Sequence, residues 1–350
     1  MSEKKKVKNA EYDVVVVGGG MSGICVALAA ARHGVRTALV HDRHVLGGNG
    51  SSEIRMHICG ASENLAKPDL EEGGILYEIM LDNKSRNDYY NFSIWDMILF
   101  STVKRQENLT VYLNTAMESC EMGEDSTIRS IDAYQLTTET HWRISGKVFI
   151  DCTGNATLGY YAGAEFRTGC ERRDEFHEPD APAEANNDRM GNTLLFKAVD
   201  RGHPVKFTKP DFARTFTEEE LKYRTHSAVH GAQIKGKVDK AYVRMTSFST
   251  SSVDYGYWWI ELPGRTDDII DEYEEIRDEL VSCIYGIWDH LKNGGDHGAE
   301  NYDLEWVGML PGSREGRRLV GDYILNENDV LSNRQFEDAV AYGGWPMDIH

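Results

Sequence analysis

Three glycines at the spacing Gly18-x-Gly20-x-x-Gly23 are the residues whose types and positions speak most directly of chemistry. Each has a physical task in a dinucleotide fingerprint: Gly18 permits a tight strand-to-helix turn, Gly20 lets the backbone approach a pyrophosphate, and Gly23 lets the helix lie close to the strand. The pyrophosphate would rest on the free amides and positive dipole end of a helix beginning at Ser22. Asp42 follows at roughly the 20-residue spacing at which a carboxylate accepts hydrogen bonds from ribose hydroxyls. The same charge would repel the 2′-phosphate of NADP.

A second group lies just downstream. Glu53, Arg55, His57 and Cys59 alternate in EIRMHIC, so an extended backbone would point all four to one face. His57 titrates nearest neutrality and is the acid/base candidate, against the plainer reading of a histidine hydrogen-bonded in a sheet. Cys59 is either a redox thiol or, lacking a partner at CxxC spacing, a small buried side chain. In GSREGRR, Arg314 is the first choice for binding a substrate carboxylate. Arg317 or Arg318 is expected to neutralise a neighbour such as Glu315 or Asp322. His226 and His230 share a helix-face spacing without the glutamate of a zinc hydrolase motif, and His290 and His297 read as surface residues beside Gly294-Gly295. No metal ligand set is assigned.

The elements that must position these groups start with Tyr12–Val17, a β-branched run suited to a strand buried on both faces of a parallel sheet. An Ala- and Leu-rich helix from Ser22 to His33 and a strand over Arg36–His41 complete a βαβ unit. Leu109–Leu113, Ile128–Leu136 and Trp142–Ile150 read as strands, and Asp69–Asp82 and Ile94–Arg105 as helices. Glu171–Arg189 is acidic and Pro- and Asn-containing, the expected loop or crossing. Alternation within Lys240–Leu262 suggests antiparallel strands, and apolar residues from Ile269 to Leu291 mark an amphipathic helix over Thr266–Asn293. The fold class is α/β: a Rossmann-like dinucleotide-binding domain with a central parallel sheet, plus a mixed α+β substrate domain with antiparallel strands.

Leu46-Gly47-Gly48-Asn49 follows the ribose acid, and Asp151-Cys152-Thr153-Gly154-Asn155-Ala156 closes a later strand. At these residues the chain resembles the two-dinucleotide-binding-domain flavoproteins. LGGNGSSEIRMHICGA (46–61), FIDCTGNATLGYYAGAEFRTG (149–169) and PGSREGRRLVGDYIL (311–325) are similar, in order, to the FAD-dependent oxidoreductase family related to the flavin subunit of heterodisulfide reductase. The resemblance implies that Gly18, Gly20, Ser22 and Gly23 hold the FAD pyrophosphate, that Asp42 and Arg43 meet the adenosine ribose, and that main-chain groups near Met117 hold adenine. It implies that Gly47, Gly48 and Asn49 lead toward the isoalloxazine, and that Thr153, Gly154 and Asn155 return to the nucleotide. Where many relatives have Asp, Asn155 keeps a hydrogen-bonding side chain and loses a charge. Arg314, His57 and Arg55 become candidates for the hydride chemistry of such enzymes, Arg314 by stabilising negative charge on reduced flavin.

The implied division is an FAD-binding domain over 1–173, a substrate or cap region over 174–306 and a return segment over 307–350. Relatives continue past Ala341–His350 into a further strand and a Gly-Arg element, so the resemblance implies an incomplete last piece. Three readings follow: an FAD-dependent oxidoreductase moving a hydride between a small organic substrate and flavin N5, an incomplete or non-catalytic flavin-binding unit, and an NAD-dependent dehydrogenase. The last leaves Gly47-Gly48 and Asp151–Asn155 without a purpose.

Length and composition bound the rest. The 350 residues allow about two domains. Against 57 acidic side chains stand 38 basic ones, a net charge of −19 that repels phosphate backbones and anionic membranes. Nucleic-acid and membrane partners are therefore not expected, and a homo-oligomer is compatible with the sequence. The electron donor or acceptor is unknown, and an iron–sulfur cluster would have to sit in a partner because the six cysteines lack ligand spacing. Scattered cysteines and no apolar leader fit a cytoplasmic protein.

Overall fold

A computed structural model of the chain describes residues 7–58, 61, 71–222, 257–261 (backbone) and 268–343. It contains two compact units. Unit 1 comprises Met1–Ser52, Gly60–Arg189 and Glu315–Met347; unit 2 comprises Glu53–Cys59, Met190–Arg314 and Asp348–His350.

Unit 1 holds β1 (Val7–Glu11), β2 (Val14–Val17), α1 (Met21–Arg32), β3 (Thr37–Val40), α2 (Gly74–Arg86), α3 (Phe92–Lys104), β4 (Leu109–Tyr112), β5 (Thr115–Met122), β6 (Ile128–Gln135), β7 (Thr140–Ser145), β8 (Val148–Asp151), α4 (Thr157–Tyr161) and β9 (Phe166–Arg167). Four of its strands form a parallel sheet in the order β4-β3-β2-β8. Val15, Val16, Ala38 and Leu39 are fully buried there, as two-sided coverage demands. Helix α1 buries Ile24, Ala27, Leu28 and Ala31, the i, i+3, i+4, i+7 stripe of a helix laid on a sheet. The register pairs Val17 with Asp151 and Val40 with Tyr112, so all four strands end along one edge.

A second sheet runs β1-β7-β6-β5. The expected strand over Trp142–Ile150 is two strands: β7 belongs to this sheet, and after Gly146 the chain crosses to become β8 of the parallel one. A side chain at Gly146 would overlap Val15 Cγ2, which explains the glycine at the crossing. β1 was not legible in the basic N-terminal segment, because its residues are mostly exposed and its hydrogen bonds go parallel to β7. Helix α2 starts at Gly74, with 71–73 irregular and the expected start at Asp69 outside the described residues, and α3 starts at Phe92 because Asn91 caps it by accepting from the amides of Ser93 and Ile94. The acidic segment after Glu171 holds a single short turn of helix, Arg173–Phe176, among its described irregular residues.

Unit 2 is built on an antiparallel sheet, β11-β10-β12, formed by β10 (Thr193–Asp200), β11 (Tyr257–Glu261) and β12 (Tyr302–Val307). Helix α5 (Tyr273–Asn293) packs on it through Leu280, Ile284, Trp288 and Leu291 against Leu194, Phe196 and Ala198. It starts at Tyr273, preceded by a turn at Asp268–Glu272 in which Asp268 caps the amides of Ile270 and Asp271. Strands β10 and β12 were not recognised in TLLFKAVD and YDLEWV. The other expected strand within Lys240–Leu262 and the pair His226 and His230 lie outside the described residues. Among the described residues, no helix is long and apolar enough to cross a membrane.

Candidate functional site

The glycine turn lies where the parallel strands end. Gly18 has φ +103°, and a side chain on it would collide with the Cys152 carbonyl. One on Gly23 would overlap the Gly18 carbonyl, which is the close approach of helix to strand that the third glycine allows. Gly20 differs: a Cβ there would meet nothing within 4 Å. That open space lies at the N-cap of α1, where, among the described residues, no side-chain cap is made to the helix. Ser22 is the exposed residue of that first turn, followed by the buried Gly23 and Ile24.

The glycine pair comes to the same place. Gly47 forms a parallel bridge with Gly20, and its amide donates to the Gly19 carbonyl at 2.9 Å. Gly47 and Gly48 have φ of +116° and +57°, and Gly48 opens a turn of 3₁₀ helix ending at Gly50 that contains Asn49. Helix α3 fastens this turn: Trp95 Nε1 donates to the Gly50 carbonyl at 2.8 Å in the interior, and the Ser52 amide donates to Asp96 Oδ1 at 3.0 Å.

One residue that sequence reasoning passed over ties the glycine loop to β3. The buried imidazole of His41 accepts from the Gly19 amide at Nδ1 (3.0 Å) and donates from Nε2 to the Val45 carbonyl (3.0 Å). Burial pushes its pKa down, so the neutral ring is the stable form. Gly19 must be small because a Cβ would come within 2.6 Å of the His41 ring. Next in sequence, Asp42 is exposed, with Arg43 Nε 3.8 Å from its carboxylate. The Asn114 amide donates to the Arg43 carbonyl, joining the β4 end to this corner. Met117 lies in β5 opposite Ala133, immediately before a register shift.

At the end of β8, Asp151 organises the turn. Its Oδ1 accepts from the Thr153 amide and hydroxyl (3.0 and 2.7 Å), and its Oδ2 accepts from the Gly159 amide. The Thr153 hydroxyl accepts in turn from the Thr157 amide at 2.8 Å. Thr153 thus shapes the turn, and Gly154 (φ +83°) presents main chain. Arg317 donates to the Asn155 carbonyl and lies 4.0 Å over the Tyr160 ring, while Arg318 pairs with Glu171 and the Gly169 carbonyl. The neutralising partner is therefore Glu171, not Glu315 or Asp322, because β13 (Arg318–Leu319) pairs with β9 and brings Arg318 beside Gly169.

The other candidates belong to unit 2. The segment from Glu53 is not extended: Ser52–Ile54 turn, and Arg55 is left-handed at φ +66°, so the alternation onto one face does not form. Arg55 stacks 3.9 Å over the Trp306 ring. The Nε2 of His57 is buried without a hydrogen-bond partner among the described residues, and burial pulls its pKa down to about 4. Arg314 is half-buried beside Ser313, close to where Gly312 bridges to Thr193. Cys59 lies outside the described residues. His290 is buried rather than superficial, and His297 is nearly so.

A parallel sheet ending in a glycine turn, a helix whose N-cap is a glycine and an exposed acid just past the end of the next strand define a dinucleotide-binding protein of Rossmann type. Residues 13–350 match the family described as FAD dependent oxidoreductase, and the chain belongs to that family, whose cofactor is FAD. A segment of 53 residues is 40% identical to the aerobic glycerol-3-phosphate dehydrogenase of Staphylococcus haemolyticus, covering 15% of this chain and 10% of that protein. The Staphylococcus aureus enzyme matches over the same length at 38%, so the chain spans about a tenth of the curated relatives it matches. Among solved structures, the flavin-dependent monooxygenase PieE, in complex with FAD and substrate, aligns with a TM-score of 0.41 and 13% identity over 85% of this chain and 49% of that one. The p-nitrophenol 4-monooxygenase PnpA from Pseudomonas putida DLL-E4 aligns at 0.39 and 12%, over 87% and 67%.

Proposed function

We propose that unit 1 holds FAD and that the protein moves a hydride between a small organic substrate and flavin N5. One observation carries this reading. Of the three fingerprint glycines, Gly18 and Gly23 are sealed by protein backbone, while Gly20 alone faces open space at the N-cap of α1.

When bound, FAD supplies a two-electron centre, and the chain's own groups bind and orient it. The first-turn amides of α1, with Gly18, Gly20, Ser22 and Gly23, would take the pyrophosphate oxygens. Asp42 would accept from the ribose hydroxyls with Arg43 beside it, and main chain near Met117 would border adenine. Gly47, Gly48 and Asn49 would hold the ribityl side, held in place by Trp95 and Asp96. Around Gly154 the main chain of Thr153 and Asn155 would close the nucleotide side. For unit 2 we propose Arg314 as an anion-binding group and His57 as a neutral proton acceptor. Arg55, stacked on Trp306, positions rather than reacts. The ordered segments 46–61, 149–169 and 311–325 support placing the chain near the heterodisulfide reductase flavin subunit, with an electron partner outside this chain.

The flavin spectrum and stoichiometry of the purified protein test the reading. One FAD per chain, lost on Gly20→Val without loss of folded structure, is expected. Protein that carries no flavin and takes up none overturns it.

A further inference from the structure

Glu218, His290 and His297 meet in unit 2, and none of them belongs to the site proposed above. His290 comes from the last turns of α5, His297 from the glycine-rich loop after it, and Glu218 opens the short helix Glu218–Leu221. His290 Nε2 is 3.1 Å from Glu218 Oε2, His297 Nε2 is 3.7 Å from the same oxygen, and all three ligand atoms lie within 4.8 Å of one another.

The other nitrogen of His290 decides what this arrangement means. Nδ1 lies 3.1 Å from the Phe216 carbonyl, which can only accept, so Nδ1 carries a proton and donates it. In a singly protonated ring, Nε2 then holds a lone pair and directs it at a carboxylate oxygen. Two acceptors at that distance repel unless the ring takes a second proton or a cation stands between them. A backbone carbonyl on Nδ1 is also the outer-sphere partner that fixes a metal-ligating histidine in its tautomer. Ligands bound to one zinc ion at about 2.0–2.1 Å stand about 3.3 Å apart in a tetrahedron, close to the two separations measured to Glu218.

The surrounding backbone is shaped to this cluster. A side chain at Gly294 would come within 2.6 Å of the His290 carbonyl and 2.9 Å of Nδ1, and one at Gly295 within 3.3 Å of His297 Nε2. Lys292 donates to the carbonyls of Ala299, Glu300 and Tyr302, which clamps the loop bearing His297 onto the end of α5.

We propose that Glu218, His290 and His297 form a His₂Glu site for a divalent cation of the zinc class, bound through one carboxylate oxygen and two Nε2 atoms. Two imidazoles select against Mg²⁺ and Ca²⁺, which favour all-oxygen sites. Glu218 is 67% exposed, so the fourth position opens to water. The ion would fasten the short helix and the loop to the end of α5.

The test uses the 350-residue chain with its flavin, stripped with a chelator and titrated with Zn²⁺. One equivalent should bind, with an X-ray absorption shell of nitrogen and oxygen including two imidazoles. Glu218→Gln and His297→Gln, checked by circular dichroism, should each weaken binding at least tenfold, and Asp296→Asn should not. Absence of stoichiometric binding overturns the proposal, as does a shell containing sulfur, which would assign the zinc to cysteine. A ¹⁵N spectrum showing both His290 nitrogens protonated in the presence of zinc would assign the cluster to an ion pair and overturn it equally.

Discussion

At the residue scale, neighbouring glycines of one motif answer to different forces, and substitution separates them. Gly23→Ala places a methyl group on the Gly18 carbonyl, so it should destabilise unit 1 by several kcal/mol, about 2–4, and lose FAD through the damaged turn. Gly20→Ala meets nothing in the protein, so the denaturation midpoint should stay within about 0.5 kcal/mol of wild type. Its FAD affinity should nonetheless fall by at least about tenfold, since the methyl group takes the space a pyrophosphate would use. Urea titration beside flavin-fluorescence titration checks both, and equal loss of stability in the two variants would refute the distinction.

His57 gives a pH prediction at the same scale. Its pKa drops from 6.5 to about 4 in the folded chain because burial disfavours the cation. The unfolded state therefore binds the proton more readily between those values. Its contribution is complete above about pH 6.5 and is lost as the pH falls toward 4, by roughly 3 kcal/mol at 1.36 kcal/mol per pKa unit. His41 is shifted in the same direction by the same cause. Denaturation midpoints from pH 4.5 to 7.5 should fall with acid in the wild type and less steeply in His57→Gln. A His57 that is neutral at pH 7 would fit the proposed role of proton acceptor and not that of an imidazolium acid.

At the scale of elements, the proposed flavin site would depend on how α3 holds a loop it does not contain. Trp95→Phe keeps the ring in the core and removes the donor to the buried Gly50 carbonyl, so it should cost about 1–3 kcal/mol and weaken FAD binding several-fold. Equilibrium unfolding and flavin titration on the one variant check this, and unchanged FAD affinity would detach α3 from the site. This dependence marks the limit of what the sequence made legible. The fingerprint turn, the βαβ unit and the glycine pair announce themselves because their periodicity and glycine spacing are local. The roles of His41, Trp95, Asp96 and Asp151 rest on partners that fold topology brings from elsewhere. The break at Gly146 was invisible because both strands it separates are β-branched. Strands β10 and β12 escaped because TLLFKAVD and YDLEWV break a clean period-two alternation and gain their partners only in the folded sheet. Alternation in EIRMHIC misled because a left-handed Arg55 cancels a period-two pattern, something composition does not show.

At the scale of the whole molecule, charge sets how a cofactor arrives. The chain carries a net charge of −19, and the pyrophosphate of FAD is itself anionic, so the long-range field opposes encounter even where the helix dipole and its amides favour the bound state. The two effects differ in range. The repulsion is screened over a Debye length of about 10 Å at 0.1 M salt, while the amides at α1 act within the first turn. Raising the ionic strength from about 0.02 to 0.5 M should therefore speed association of FAD with the apoprotein several-fold, with a smaller change in its dissociation rate. Stopped-flow quenching of flavin fluorescence measures both rates. An association rate that falls with salt would mean that local cations such as Arg43 outweigh the global field, and Arg43→Gln should then remove the salt dependence.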